Sequence, residues 1–327
     1  MIWPRLVTSL VVLLLILSGA TWGLESWRAR MAEQRYPPNG TFVDVGDQRV
    51  HMVIKGDHGP AVVLIHGASG SARDLTFDLA PELAKRYRVF VPDRPGFGYS
   101  DPLPADQDTI ENQAKLLQKA TKMAGADDPI VLGHSYGGAV AIAWAVYQPG
   151  TLSGLVPVSA PSHSWDTGLP LLYEITSPPL GQAVVVPLIS AWTPPAIIRS
   201  EVESVFTPQE MPIGYLHWFG PGMTLRVQTM RVNARQRASL KSQIQQMIPR
   251  YPDLDLPVVS VHGTADTIVG EQIHAVPFTK EVPGAELVSL DGIGHMVPHV
   301  ALQQTVAAVD RVAKRAGYSI PMRPAAE

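Results

Sequence analysis

Apolar and polar positions follow three rhythms along this chain. From Leu6 to Leu24 no residue is charged and no polar stripe marks a solvent face. As a helix the run extends about 28 Å at 1.5 Å per residue, close to the thickness of a bilayer's hydrocarbon core. Between Thr41 and Lys55 the pattern alternates. Val50, Met52 and Ile54 point one way, Arg49, His51 and Lys55 the other, and Gly46-Asp47-Gln48 separates two runs. That predicts an antiparallel hairpin with one wet face. From Ala61 onward the rhythm changes to short apolar runs: Ala61–Ile65, Arg88–Pro92, Pro129–Leu132, Gly154–Ser159, Pro257–His262 and Glu286–Leu290. Stretches of helical spacing lie between or after them, at Asp74–Arg86, Thr109–Ala124 (with Thr109 as cap), just beyond Ser135, and at His299–Ala316. Buried strands alternating with helices predict an α/β fold, a parallel sheet covered on both faces.

Two stretches depart from these rhythms. Trp27 to Gly40 reads as a polar linker closed by Pro37-Pro38-Asn39-Gly40. Pro161 to Tyr251 is rich in proline and aromatic residues, and Met223–Ile248 within it has helical spacing; it reads as an insertion of short helices outside the sheet. The division is therefore residues 1–40 as N-terminal segment and linker, 41–160 with 252–318 as the α/β core, and 161–251 as the helical insertion. Tyr318–Glu327 reads as a frayed tail.

Composition narrows the function. The chain has 327 residues, enough for a large core, and no cysteine, which removes disulfides, thiolate metal sites and a cysteine nucleophile. A net charge of −3 argues against nucleic acid as a partner. Trp3, Trp22 and Trp27 flank the opening apolar run at interfacial depths, so a single-pass membrane anchor is the preferred reading. A cleaved signal peptide, with Ser18-Gly19-Ala20 as cleavage site and a periplasmic or secreted product, is the competing one. The charges at the two ends of the run do not choose a membrane side.

The candidate chemistry starts at Gly133-His134-Ser135-Tyr136-Gly137, a G-x-S-x-G pattern between an apolar strand and a small-residue helix. Such a turn holds one serine on a strained backbone beside a helix N-terminus, where free N–H groups stabilise negative charge. A serine hydroxyl needs an adjacent base, and that base needs an orienting acid. His295 follows the last strand and Asp266 the one before it, in the order Ser, Asp, His. Alone, each is an ordinary loop or turn residue; three suitable residue types after three strands make the case. Asp291 is a lesser candidate for the acid, and His262 is read as a turn support. For an oxyanion, the N–H of Tyr136 supplies one donor and the N–H of Ala68, in the His66-Gly67-Ala68 turn, the other.

These residues, together with Asp93-Arg94-Pro95-Gly96-Phe97-Gly98-Tyr99-Ser100, Gly263 to Asp266 and Gly294-His295, resemble the α/β-hydrolase superfamily over residues 40–316. They most resemble its branch with a helical cap inserted after the sixth strand. The resemblance implies an eight-stranded, mostly parallel sheet, with Ser135 as nucleophile, Asp266 as acid and His295 as base. It makes Asp93–Ser100 a structural loop beside the pocket. Relatives that open epoxides or remove halides carry aspartate at the position of Ser135, so acyl transfer to water is the expected chemistry. The expectation is a serine carboxylesterase with no cofactor and no metal, acting on a moderately hydrophobic small molecule, with its oligomeric state open. The alternatives are a carbon–carbon bond hydrolase and a non-catalytic binding protein of the same fold.

Overall fold

A computed structural model describes residues 2–320. One eight-stranded sheet organises the chain. Its strands are β1 (Thr41–Val45), β2 (Gln48–Lys55), β3 (Ala61–Ile65), β4 (Arg88–Pro92), β5 (Ile130–His134), β6 (Gly154–Val158), β7 (Val259–Gly263) and β8 (Glu286–Leu290). The spatial order is β1-β2-β4-β3-β5-β6-β7-β8. β1 and β2 pair antiparallel, as do β2 and β4, and every later pairing is parallel. The helices are α1 (Ile2–Arg35), α2 (Ala72–Leu75), α3 (Leu79–Leu83), α4 (Ile110–Met123), α5 (Tyr136–Tyr147), α6 (Leu171–Thr176), α7 (Val186–Trp192), α8 (Pro195–Ser204), α9 (Tyr215–Phe219), α10 (Pro221–Thr224), α11 (Val227–Met247), α12 (Ala275–Glu281), α13 (Val297–Val300) and α14 (Leu302–Arg315).

Each sheet face carries its own core. On one, Val63, Ile65, Phe90 and Val131 pack with residues of α4 and α5, including Leu117 and Trp144. On the other, Val62, Leu64, Val89 and Leu132 pack with α2, α3 and α14. Both faces of the central strands are therefore dry, which is why these strands read as continuous apolar runs. The oxygen of Thr109 accepts from the N–H of Asn112 at 3.1 Å and caps α4.

Several expectations need correction. Trp27–Gly40 is not a linker: α1 continues unbroken to Arg35, and its second half lies against the insertion. Arg28 donates to the carbonyls of Ser190, Ala191 and Thr193 at 3.0, 2.8 and 2.9 Å, meeting the unpaired carbonyls at the end of α7. The polar face of β2 is wet only in part: Arg49 is exposed and Lys55 half-buried, but Val53 on the same face is buried. His51 is buried there and pairs with Asp93 at 2.7 Å. Asp74–Arg86 is two short helices, α2 and α3, rather than one. The last helical stretch likewise divides into α13 and α14. Tyr318 and Ile320 pack against the core, and the Tyr318 hydroxyl donates to the carbonyl of Asp128 at 3.1 Å; the rest of the expected tail, 321–327, lies outside the described residues.

Candidate active site

The turn from β5 to α5 is as tight as the glycine spacing requires. A Cβ on Gly133 would strike the carbonyl of Gly137, and one on Gly137 would strike the carbonyls of Ile65 and His66. Between them Ser135 has φ 53° and ψ −124°, a region that side-chain-bearing residues seldom occupy, at a cost of about 1–3 kcal/mol. The strained turn lifts the Ser135 side chain off the sheet's carboxyl edge while leaving it 7% exposed.

The loops after β7 and β8 bring the other two residues to it. His295 Nε2 lies 2.9 Å from Ser135 Oγ, and His295 Nδ1 lies 2.7 Å from Asp266 Oδ2. Asp266 is itself fixed, since its Oδ1 accepts from the N–H groups of Ile268 and Val269, both at 2.9 Å. Burial pushes this carboxyl's pKa upward, but hydrogen bonding from His262 and His295 outweighs it and holds the group far below the usual carboxylate range. Asp266 is thus a permanent anion beside an imidazole whose other nitrogen faces a hydroxyl. That arrangement can take a proton from the hydroxyl and stabilise the imidazolium that results. Asp291, the lesser candidate, accepts instead from Thr264 at 3.3 Å. His262 supports the turn, with its Nε2 2.7 Å from the carbonyl of Val269.

The turn after β3 passes directly over the serine. A Cβ placed on Gly67 would come within 3.2 Å of the Ser135 Cβ. Ala68 follows, half-buried, and no acceptor among the described residues meets its N–H. Tyr136 opens α5, so its N–H has no partner within that helix. The buried guanidinium of Arg94 holds this turn in place. Its Nε donates to the carbonyl of His66 at 3.0 Å and its Nη2 to that of Gly67 at 3.1 Å. Its Nη1 reaches Gln113 of α4 and Gln236 of α11, at 2.9 and 2.8 Å. Asp93 beside it accepts from His51 and from the N–H groups of Ala72 and Tyr99, so the Asp93–Ser100 loop is internally braced.

Some residues near the site escaped the sequence reading. His134 Nε2 donates to the carbonyl of His295 at 3.0 Å. Burial, with His295 nearby, lowers the pKa of His134 to about 4 and leaves it a neutral tether for the His295 loop. Asn233 of α11 pins Ser69, next to Ala68, donating to its hydroxyl at 2.9 Å and accepting from its N–H at 3.2 Å. A third group lies behind the site. His299 is held between Asp74 (2.9 Å) and Asp78 (2.8 Å), and the hydroxyl of Tyr215 from the insertion donates to Asp74 at 2.6 Å. Burial opposes the charge on His299, yet the two carboxylates raise its pKa to about 9. Only His134, immediately before Ser135, had a local pattern that could have drawn notice; the others depend on contacts between distant segments.

Comparison with known proteins agrees with this architecture. Polyketide synthase ThaQ of Burkholderia thailandensis is 27% identical over 281 residues, 84% of this chain but 12% of ThaQ, so the chain spans a small part of that protein. Lipase 1 of Psychrobacter immobilis is 25% identical over 277 residues, covering 80% of this chain and 78% of the lipase. The crystal structure of an alpha/beta hydrolase fold protein from Burkholderia ambifaria superposes with a TM-score of 0.68 at 25% identity, over 82% of this chain and 96% of that one. Residues 62–309, which include the strained serine turn and both loops that meet it, match the alpha/beta hydrolase family, and the chain belongs to that family.

Proposed function

We propose that the protein is a serine hydrolase that cleaves an ester-type bond through an acyl-enzyme, with α1 as its membrane anchor. The observation that carries this reading is the unbroken path from Ser135 Oγ through His295 to Asp266, at 2.9 and 2.7 Å. His295 Nε2 takes the hydroxyl proton as Ser135 Oγ bonds to the substrate's carbonyl carbon. The N–H groups of Ala68 and Tyr136 hold the resulting oxyanion. His295 passes its proton to the leaving alcohol as the carbon–oxygen bond breaks. Water then attacks the acyl-enzyme, giving its proton to His295, and Ser135 leaves with that proton restored. Asp266 orients the imidazole throughout and stabilises its charged form.

An ester with a moderately hydrophobic acyl or alcohol part suits the apolar and aromatic content of the insertion, and Lipase 1 supports ester chemistry on this scaffold. The anchor reading is supported by the length and apolar character of α1, an uncharged run flanked by Trp3, Trp22 and Trp27. A fluorophosphonate probe tests the enzyme reading. The purified protein is expected to be labelled and the Ser135→Ala variant not. Equal labelling of the two, or none of either, removes the enzyme reading in favour of a binding protein. Cleavage of a dienol-diketone substrate without any esterase activity removes the ester in favour of carbon–carbon hydrolysis.

A further inference from the structure

The insertion carries an apolar surface that neither the fold nor the proposed chemistry requires. From Ile175 to Ile198 no side chain is charged. Leu180, Val184, Leu188 and Trp192 fall at four-residue intervals along one π-helical turn (181–185) and α7, and all are exposed, by 75, 49, 45 and 53%. The opposite side of the same segment is buried through Gly181, Val186, Ser190 and Ala191. The segment is therefore a packed helix with an uncovered apolar stripe, continuing past a sharp bend of 102° into α8, where Ile197 is also exposed. Such a stripe on a water-facing surface costs free energy unless something covers it.

The position of α7 along α1 identifies the cover. Trp192 Nε1 donates to the hydroxyl of Thr21 at 3.0 Å, and Arg28, about two turns further along α1, holds the carbonyls at the end of α7. Thr21 lies inside the uncharged run Leu6–Leu24. If that run fills a hydrocarbon core, Thr21 sits about 4–5 Å short of its end at 1.5 Å per residue. The end of α7 is then at the depth where the hydrocarbon meets the headgroups, the depth that tryptophan favours.

We propose that the stripe Leu180–Val184–Leu188–Trp192, with Ile197, is a second membrane contact, lying in the interface of the leaflet from which α1 emerges. The helical insertion, rather than the sheet, then rests on the bilayer. An apolar helix face lying in that plane buries itself about 5–10 Å deep without spanning. The proposal rests on α1 being a retained span, and the test separates the two.

The chain has no cysteine, so single-cysteine variants report one site each. Leu13→Cys, Leu180→Cys, Leu188→Cys and Asp127→Cys, full-length and carrying an environment-sensitive fluorophore, are reconstituted into phosphatidylcholine vesicles containing acyl-chain nitroxide lipid. Asp127, before β5, is exposed at the edge of the sheet remote from Ser135 and serves as the water-facing control. The expected result is quenching at positions 13, 180 and 188 that exceeds that at 127 by at least about threefold. Quenching at position 13 with positions 180 and 188 no different from 127 overturns the seat and leaves the anchor standing. No excess quenching at position 13 overturns both.

Discussion

His295, in the loop after β8, and His299, on α13, are both buried and both against carboxylates, yet they are prepared for opposite tasks. His295 meets one carboxylate, Asp266, and turns its second nitrogen to the hydroxyl of Ser135. His299 meets Asp74 with one nitrogen and Asp78 with the other, and Tyr215 adds a further hydrogen bond to Asp74. The first imidazole has a hydroxyl from which to take a proton. The second has none, and two anions keep it charged. Thus a histidine–carboxylate pair does not by itself mark a base; what the remaining nitrogen faces decides. Because Tyr215 belongs to the insertion and Asp74 to α2, the charged cluster serves instead as a bolt between the insertion and the sheet.

The comparison can be broken most sharply at Asp266. Asp266→Asn is expected to lower kcat for an ester by about 10⁴-fold, because the amide favours the wrong imidazole tautomer. A drop of tenfold or less in steady-state assays would mean that His295 does not depend on its carboxylate. At the second histidine the larger effect falls on folding. His299→Ala leaves the buried Asp74 and the half-buried Asp78 without their cation and is expected to cost about 3–5 kcal/mol, read from urea unfolding. Fluorophosphonate labelling of the protein that remains folded should persist.

The same histidine predicts a pH dependence. Its folded-state pKa, raised to about 9, exceeds the value of about 6.5 expected when unfolded. Its contribution to stability is therefore complete below about 6.5 and is lost as pH rises through about 9. The urea midpoint should fall across that window, and His299→Gln should flatten the fall; an unchanged slope would show that the cluster does not hold the charge. The smallest effect is expected at Tyr215→Phe, which removes one hydrogen bond to a charged acceptor and should cost about 1.5–3 kcal/mol, with ester hydrolysis kept. Loss of hydrolysis with unchanged stability would instead assign this cluster to the chemistry.

Ser135, Asp266 and His295 were legible because each is announced locally. Gly133 and Gly137 are required by close backbone approach, and Asp266 and His295 each follow an apolar strand whose end points at the same sheet edge. The turn at His66-Gly67-Ala68 was legible for the same reason. Arg94, Asn233, His134 and His299 were not. Arg94 and Gln236 are far apart in the chain and become partners only because α11 crosses the loop after β4. The hydrophobic rhythm also misread Trp27–Gly40, since charged residues there suggested a solvated linker. In the folded protein Arg28 meets the open end of α7 and Glu33 pairs with Arg226, so those charges stabilise a docked helix.

The sequence alone determined the α/β class, the strand positions and the Ser, Asp, His order, because buried strands and strained turns impose local residue requirements that do not depend on partners. Tertiary structure alone decided how the pieces are held. It gave one histidine a hydroxyl and the other a second carboxylate, fastened the Ala68 turn through Arg94 and Asn233, and set the apolar stripe of α7 beside the end of the α1 run. Those outcomes arise from contacts between distant segments, whose energies depend on geometry and burial that no local pattern encodes.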